Sequence, residues 1–282
     1  MNHLSLPPYL RNHSQNRWIT GLALASRSRR EGQILRAAIP IKARGGKTDS
    51  PSQWYIPSVR TLRIVAVALL LAGGAAAQET VSFPTEDGGV IYADLYGEGD
   101  QGIVLAHGGQ FDKESWGKQA RTLRSAGFRV LALDFRGYGK SRGPGQSDPL
   151  SAPLQLDVLA AVHYLQKTGA KSVSVVGASM GAGAAGDASI ASRPGEIDRL
   201  VFLGEAPYGP VEKLKSPTLF MVARDDSSGD GPRLPRIQAQ YEKAPEPKTL
   251  IILDGSAHAQ YLFQTDQGER VMREILHFLS AK

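Results

Sequence analysis

Gly177-Ala178-Ser179-Met180-Gly181 sets a serine among small residues, between a valine-rich apolar run and a stretch of helical character. A G-x-S-x-G at a strand-to-helix turn bends so tightly that its flanks must be small, and the serine hydroxyl then projects over the sheet edge. A serine hydroxyl is a weak nucleophile at neutral pH, so chemistry here needs a base and a place for developing negative charge. The helix N-terminus from Met180 onward offers free N–H groups and a positive dipole end for an oxyanion. His107-Gly108-Gly109 follows another apolar run. Its glycines allow a second backbone N–H, assigned to Gly109 with Gln110 as the neighbouring candidate, to turn toward the same oxyanion. The chemistry implied is acyl transfer through Ser179. Alone, each pattern is weak: G-x-S-x-G recurs in chains rich in Gly, Ala and Ser, and His-Gly-Gly is also an ordinary tight turn.

The elements that must hold these residues alternate along the chain. Segments 80–84 and 90–96 flank Glu86-Asp87-Gly88-Gly89, a hairpin signal. Short, nearly continuous apolar runs follow at 102–106, 129–133, 172–176, 200–203, 218–222 and 250–253, as expected of strands buried on both faces of a parallel sheet. Helical stretches are expected at 114–126, 153–168, 181–192, 235–243 and 267–280. In the second, Leu154, Leu156, Val158, Leu159, Val162 and Leu165 form a stripe, and Gly169 supplies the stop. Strand–helix alternation predicts a mostly parallel, doubly wound α/β sheet with an antiparallel N-terminal hairpin. Ligands bind such sheets beyond the carboxyl ends of the strands.

Composition sets outer limits. The 282 residues are 41% hydrophobic and 21% charged, near the globular average, which excludes a disordered, collagen-like or multi-span chain. The absence of cysteine excludes disulfides, cysteine-ligated zinc and a cysteine nucleophile. The net charge of +6 is carried by the leader: residues 1–60 hold ten Lys/Arg against Glu31 and Asp49, which leaves the remainder at net −2. A basic nucleic-acid face on the body is therefore not expected.

Within residues 59–77, Arg60 and Arg63 precede the apolar stretch 64–72 and the small residues Ala75-Ala76-Ala77. This is the order of a secretory signal peptide, and the 14 uncharged residues 64–77 fall short of the roughly 20 needed to span a bilayer. An exported protein, periplasmic or secreted, with no stable membrane anchor after cleavage is expected. Residues 1–58, rich in Arg and Ser without apolar periodicity, form a non-structured leader, or translation begins at Val59. A transit segment and a twin-arginine signal at Arg29-Arg30 are the rivals, the latter weakened by lying 34 residues before Ile64. The folded domain is expected at 78–282.

Asp134-Phe135-Arg136-Gly137-Tyr138-Gly139-Lys140-Ser141, between the His-Gly-Gly turn and Ser179, resembles the D-x-R-G-x-G-x-S segment of the α/β-hydrolase superfamily. The similarity runs over nearly all of residues 80–282 and implies a small serine hydrolase resembling esterases and dienelactone-hydrolase-like members. Dienelactone enzymes carry cysteine where this chain has Ser179, which argues against that chemistry. The serine likewise argues against aspartate-nucleophile dehalogenases and epoxide hydrolases.

The resemblance implies the chain order serine, acid, histidine. The acid should follow the run 218–222, where Ala223-Arg224-Asp225-Asp226 resembles the family's G-x-x-D turn and favours Asp226 over Asp225. The histidine should follow the last strand, where Asp254-Gly255-Ser256-Ala257-His258 stands. His163 and His277 lie within helical stretches and read as packing residues. The implied mechanism uses Ser179 as nucleophile, His258 as base, Asp226 as its orienting acid, and the Gly109 and Met180 N–H groups as oxyanion hole, with no metal and no other cofactor.

Only thirteen residues run from Gly204 through Ser216, too few for the cap domain many superfamily members insert there. The site should be open, with Phe111, Trp116, Tyr138, Tyr208 and Tyr261 as candidate rim aromatics, each equally readable as a plain packing residue, and interfacial lipase activity is disfavoured. The expected partner is a small ester-type substrate, with thioesters as an extension. A serine peptidase or acyltransferase using the same residues, or a non-catalytic binding protein of this fold, are the alternatives. The acyl and alcohol specificity and the oligomeric state are not written in these residues.

Overall fold

The computed structural model describes residues 78–148 and 151–281; the leader and signal-peptide expectations fall outside them. One eight-stranded sheet runs through the domain. Its strands are β1 (Glu79–Pro84), β2 (Val90–Tyr96), β3 (Gln101–Ala106), β4 (Arg129–Leu133), β5 (Ser172–Ala178), β6 (Leu200–Leu203), β7 (Thr218–Ala223) and β10 (Lys248–Leu253). The order is β1-β2-β4-β3-β5-β6-β7-β10. β1 pairs antiparallel with β2 and β2 with β4, while the other neighbours are parallel. A two-stranded ribbon, β8 (Ser227–Ser228) and β9 (Gly231–Pro232), lies in the segment between β7 and the helix that starts at Arg233.

Successive side chains of a strand face opposite sides of a sheet, and the core divides accordingly. Val104, Ala106, Leu131, Leu133, Val173 and Val175 join one buried cluster with α2 (Leu154–Lys167), α3 (Met180–Ala191) and Ile237 of α4 (Arg233–Lys243). Ile103, Leu105, Val130, Ala132, Val176 and Ala178 join the other with α1 (Gly117–Ser125) and α5 (Gly268–Ser280). Burial on both faces explains why β3, β5, β6 and β7 are continuous apolar runs rather than alternating ones. The expected doubly wound sheet with its antiparallel hairpin is the observed one. Strand and helix bounds differ from expectation by one or two residues, except that the helix expected at 114–126 begins as a 3-10 turn, Lys113–Trp116.

The D-x-R-G-x-G-x-S segment fastens the β4 exit to its surroundings. The fully buried Arg136 donates to Asp157 from Nε (2.9 Å) and from its second terminal nitrogen (2.6 Å), and also reaches Asp87 and the Pro144 carbonyl. The Arg136 guanidinium holds the Asp87 carboxyl down at about 2. Asp134 Oδ1 accepts the Lys113 N–H at 2.9 Å, and Ser141 Oγ accepts the Tyr92 N–H at 2.9 Å. A side chain at Gly139 would meet Asp134 Oδ2 at 2.2 Å, so that turn needs glycine.

Between β6 and β7 the chain makes a single 3-10 turn, Val211–Lys213, with no cap domain among the described residues. It lies directly on α3: a Cβ at Gly183 would come within 2.3 Å of the Tyr208 ring, and one at Gly186 within 2.6 Å of Pro207.

Candidate active site

Ser179 sits between β5 and α3 with φ +50° and ψ −116°, a region that non-glycine residues rarely occupy. Its neighbours make this turn possible. A Cβ at Gly177 would lie 2.3 Å from the Gly181 carbonyl oxygen, and one at Gly181 2.2 Å from that of Ala106. The Ser179 N–H donates to the Leu203 carbonyl at 2.9 Å. Ser179 Oγ caps no backbone group of the helix and instead meets His258 Nε2 at 2.8 Å.

His258 leaves the end of β10, and its Nδ1 lies 2.7 Å from Oδ2 of Asp226. With Nδ1–H donated to the carboxylate, Nε2 is the acceptor for the Ser179 hydroxyl. Gly204 clears space for the imidazole, since a Cβ there would stand 3.0 Å from Nδ1. Asp226 is 1% exposed, whereas Asp225 is exposed, its backbone N–H tying back to the Gly255 carbonyl at 2.9 Å. The structure thus brings Ser179, His258 and Asp226 into one chain and leaves Asp225 out.

His107, fully buried, shapes the second loop. Its Nδ1–H donates to the Gly108 carbonyl (2.8 Å), and its Nε2 accepts the Phe135 N–H (3.2 Å). Both nitrogens are committed in the neutral form, and burial pushes the imidazole down to about 4. The Tyr138 hydroxyl donates to the Gly109 carbonyl at 2.9 Å, and the Gly108 N–H donates to Gln260 Oε1 at 2.8 Å. Because the C=O and N–H of one peptide point opposite ways, fixing the Gly108 carbonyl on the His107 side turns the Gly109 N–H away from it. Met180 is the first residue of α3, so its N–H has no acceptor within the helix. Gly108 and Gly109 run alongside Ser179 and the Met180 sulfur, within 3.5 and 3.8 Å of added Cβ positions.

Two sequence expectations need correction. Trp116 is not a rim residue: it is 1% exposed and packs edge-on against Phe263, because the 3-10 turn drives it under the loop. His163 and His277 are not packing residues; both are exposed, and His163 pairs with Glu196 at 2.6 Å. Of the remaining aromatics, Tyr208 and Tyr261 are exposed, Phe111 is half-buried against Tyr261, and Tyr138 is half-buried against His107. No cluster of three or more His, Asp or Glu among the described residues is placed to hold a metal.

The elbow at Ser179, the His-Gly-Gly loop and the sheet order carry a family signature, and the family model for the alpha/beta hydrolase fold matches residues 102–265. The chain belongs to the α/β-hydrolase family. Among curated relatives of this α/β hydrolase is a putative non-heme chloroperoxidase of Synechocystis, 41% identical over 96 residues, covering 33% of this chain and 32% of that protein. Another is a 2-hydroxy-6-oxononadienedioate/2-hydroxy-6-oxononatrienedioate hydrolase of Pseudomonas putida, 32% identical over 133 residues, covering 45% and 44%. The chain thus spans less than half the length of these relatives. Solved structures share the fold: an esterase from Exiguobacterium antarcticum (TM-score 0.59, 17% identity, 72% of this chain and 100% of that one) and a dienelactone hydrolase from Anabaena variabilis (TM-score 0.57, 20% identity, 71% and 95%).

Four residues around the site carried no signal in the sequence. Glu205, just past β6, binds Arg233 and Arg236, and Arg233 in turn faces Asp226. Gln260, two residues after His258, reaches the loop after β3. Apart from the Arg233–Asp226 pair, each contact joins residues far apart along the chain, which spacing cannot reveal.

Proposed function

We propose that this α/β hydrolase is an esterase-like serine hydrolase that cleaves carboxylic esters through an acyl-enzyme on Ser179. The observation that carries this reading is the continuous hydrogen-bonded path from Ser179 Oγ through His258 to the buried Asp226, at 2.8 and 2.7 Å. His258 Nε2 takes the hydroxyl proton as Oγ attacks the ester carbonyl, and Asp226 stabilises the imidazolium that forms. The carbonyl oxygen becomes an oxyanion facing the Met180 and Gly109 N–H groups, each such donor contributing about 3 kcal/mol. His258 returns the proton to the departing alcohol. Water, deprotonated by His258, then releases the acid.

The short connection between β6 and β7 supports an open site that accepts varied acyl groups, thioesters among them. Export is part of the reading on the strength of residues 59–77 alone, and N-terminal sequencing of the mature protein from a periplasmic or culture fraction should begin at Gln78. The test of the chemistry is a fluorophosphonate probe on the purified protein. Labelling at Ser179 that disappears in Ser179→Ala and His258→Ala supports the activated nucleophile, and an ester, thioester and peptide panel then ranks the bonds cleaved. A folded wild-type protein that takes no label sinks the reading in favour of a binding protein.

A further inference from the structure

Gln260 is buried and uses both ends of its amide on one distant loop. Its Oε1 accepts the Gly108 N–H at 2.8 Å, and its Nε2 donates to Ser115 Oγ at 2.9 Å. Gly108 precedes the candidate oxyanion residue, and Ser115 lies in the 3-10 turn that ends the same loop. Gln260 therefore grips residues 107–116 at two points, and the first is one peptide from the Gly109 N–H. Between His258 and Gln260 stands Ala259, at φ +50°. A non-glycine residue is held in that region only when its surroundings over-determine it. Here the turn lets one short segment send His258 to Ser179 and Gln260 to Gly108.

We propose that Gln260 is a positioning residue that sets the oxyanion loop against the histidine loop, so that base and oxyanion donor are placed by a single segment. This inference rests on the serine-hydrolase reading. The Gly108 N–H is inside the protein and needs an acceptor. Together, Gln260 on the Gly108 N–H, His107 and the Phe111 N–H on its carbonyl, and Tyr138 on the Gly109 carbonyl hold the polar backbone groups of the two glycines other than the Gly109 N–H. Without the glutamine acceptor the His107–Gly108 peptide, next to the one that carries the Gly109 N–H, loses its tether, and a displacement of about 1 Å at such a donor costs on the order of 10²-fold in rate.

The test compares wild type, Gln260→Met and Gln260→Glu in p-nitrophenyl acetate hydrolysis and in inhibition by an aryl trifluoromethyl ketone. Ser179 Oγ adds to the ketone carbon, the C=O bond becomes an alkoxide, and the serine proton moves to His258, so the inhibitor reports oxyanion binding in the ground state. Hydrogen exchange of the Gly108 amide gives a readout independent of turnover. Gln260→Met should lower kcat about 10–100-fold with KM changed by no more than about twofold, weaken the ketone by the same factor, and speed Gly108 exchange. Gln260→Glu, which keeps an acceptor toward Gly108, should stay within about fivefold of wild type. Wild-type kcat and ketone affinity in Gln260→Met, or a loss confined to KM, overturns the proposal while the hydrolase reading stands. A wild-type protein that neither labels nor hydrolyses overturns both.

Discussion

Arg233 Nε lies 3.3 Å from Asp226 Oδ1, while the other oxygen of the same carboxylate holds His258 Nδ1 at 2.7 Å. The guanidinium also lies 3.3 Å from Glu205, so it stands between two acids and is mostly enclosed. The guanidinium thus braces the carboxylate that holds the His258 ring. Arg233→Met should therefore lower kcat about 10-fold with KM little changed, whereas Arg233→Lys should lose less. Steady-state kinetics on the two variants checks this, and a wild-type kcat in Arg233→Met would show that Asp226 is held without it.

The elbow stores strain that glycine would not. Ser179 holds φ +50°, which costs a residue with a Cβ about 1–3 kcal/mol. Ser179→Gly and Ser179→Ala both lose the hydrogen bond to His258, but only the first relieves the backbone. Ser179→Gly should be the more stable of the two inactive variants by about 1 kcal/mol, equivalent to a Tm difference of about 2–4 °C. Equal Tm values by calorimetry would mean the turn is unstrained.

The neighbouring aspartates have opposite consequences. Asp226→Asn should lower kcat about 10⁴-fold, because an amide cannot hold the imidazole in the required tautomer or stabilise its charged form. Asp225→Asn should leave kcat/KM within about twofold, since the exposed Asp225 engages the fold through its backbone N–H. Steady-state kinetics on the pair separates the two roles, and an inactive Asp225→Asn would redraw the site.

His107 gives a pH dependence of stability rather than of rate. Its native imidazole is held down at about 4 by burial, against an ordinary value of 6.5. Between these values the unfolded chain binds a proton that the native protein does not, so stability is complete above about pH 6.5 and falls as pH drops toward 4. The loss from this group is about 3 kcal/mol by pH 4. Urea unfolding across that window measures it, with the ring resonances of His107 expected to remain neutral to below pH 5. A His107 ring titrating near 6.5 would refute the assignment.

Much of this could be read from residue types because packing and chemistry impose the same choices. Gly177, Gly181 and Ser179 are dictated by a turn with no spare volume, and the strands of a two-sided sheet are apolar throughout. The choice of Asp226 over Asp225 needed a resemblance, because adjacent carboxylates look alike until one is turned inward. Tertiary placement hid the rest. Trp116 looks like a rim aromatic until the 3-10 turn carries it under the loop, and the ribbon of β8 and β9 is too short for any periodicity. Gln260 is an unremarkable polar residue until its partner, 152 positions away, is known.

The last strand has a bearing on how this protein comes to be active. Among the described residues β10 lies at the sheet edge, pairs with β7 alone and is largely half-buried, yet its exit carries both His258 and Gln260. The contacts that complete the site close loops of 79 and 152 residues, and such long-range closures come at high entropic cost. Edge elements with few neighbours also open at lower free energy than the interior of a fold. Under the proposed function, turnover is a gauge of whether the carboxyl-terminal edge is seated. On refolding it should return after the spectroscopic signal of the sheet, and on gentle warming it should fade before that signal does.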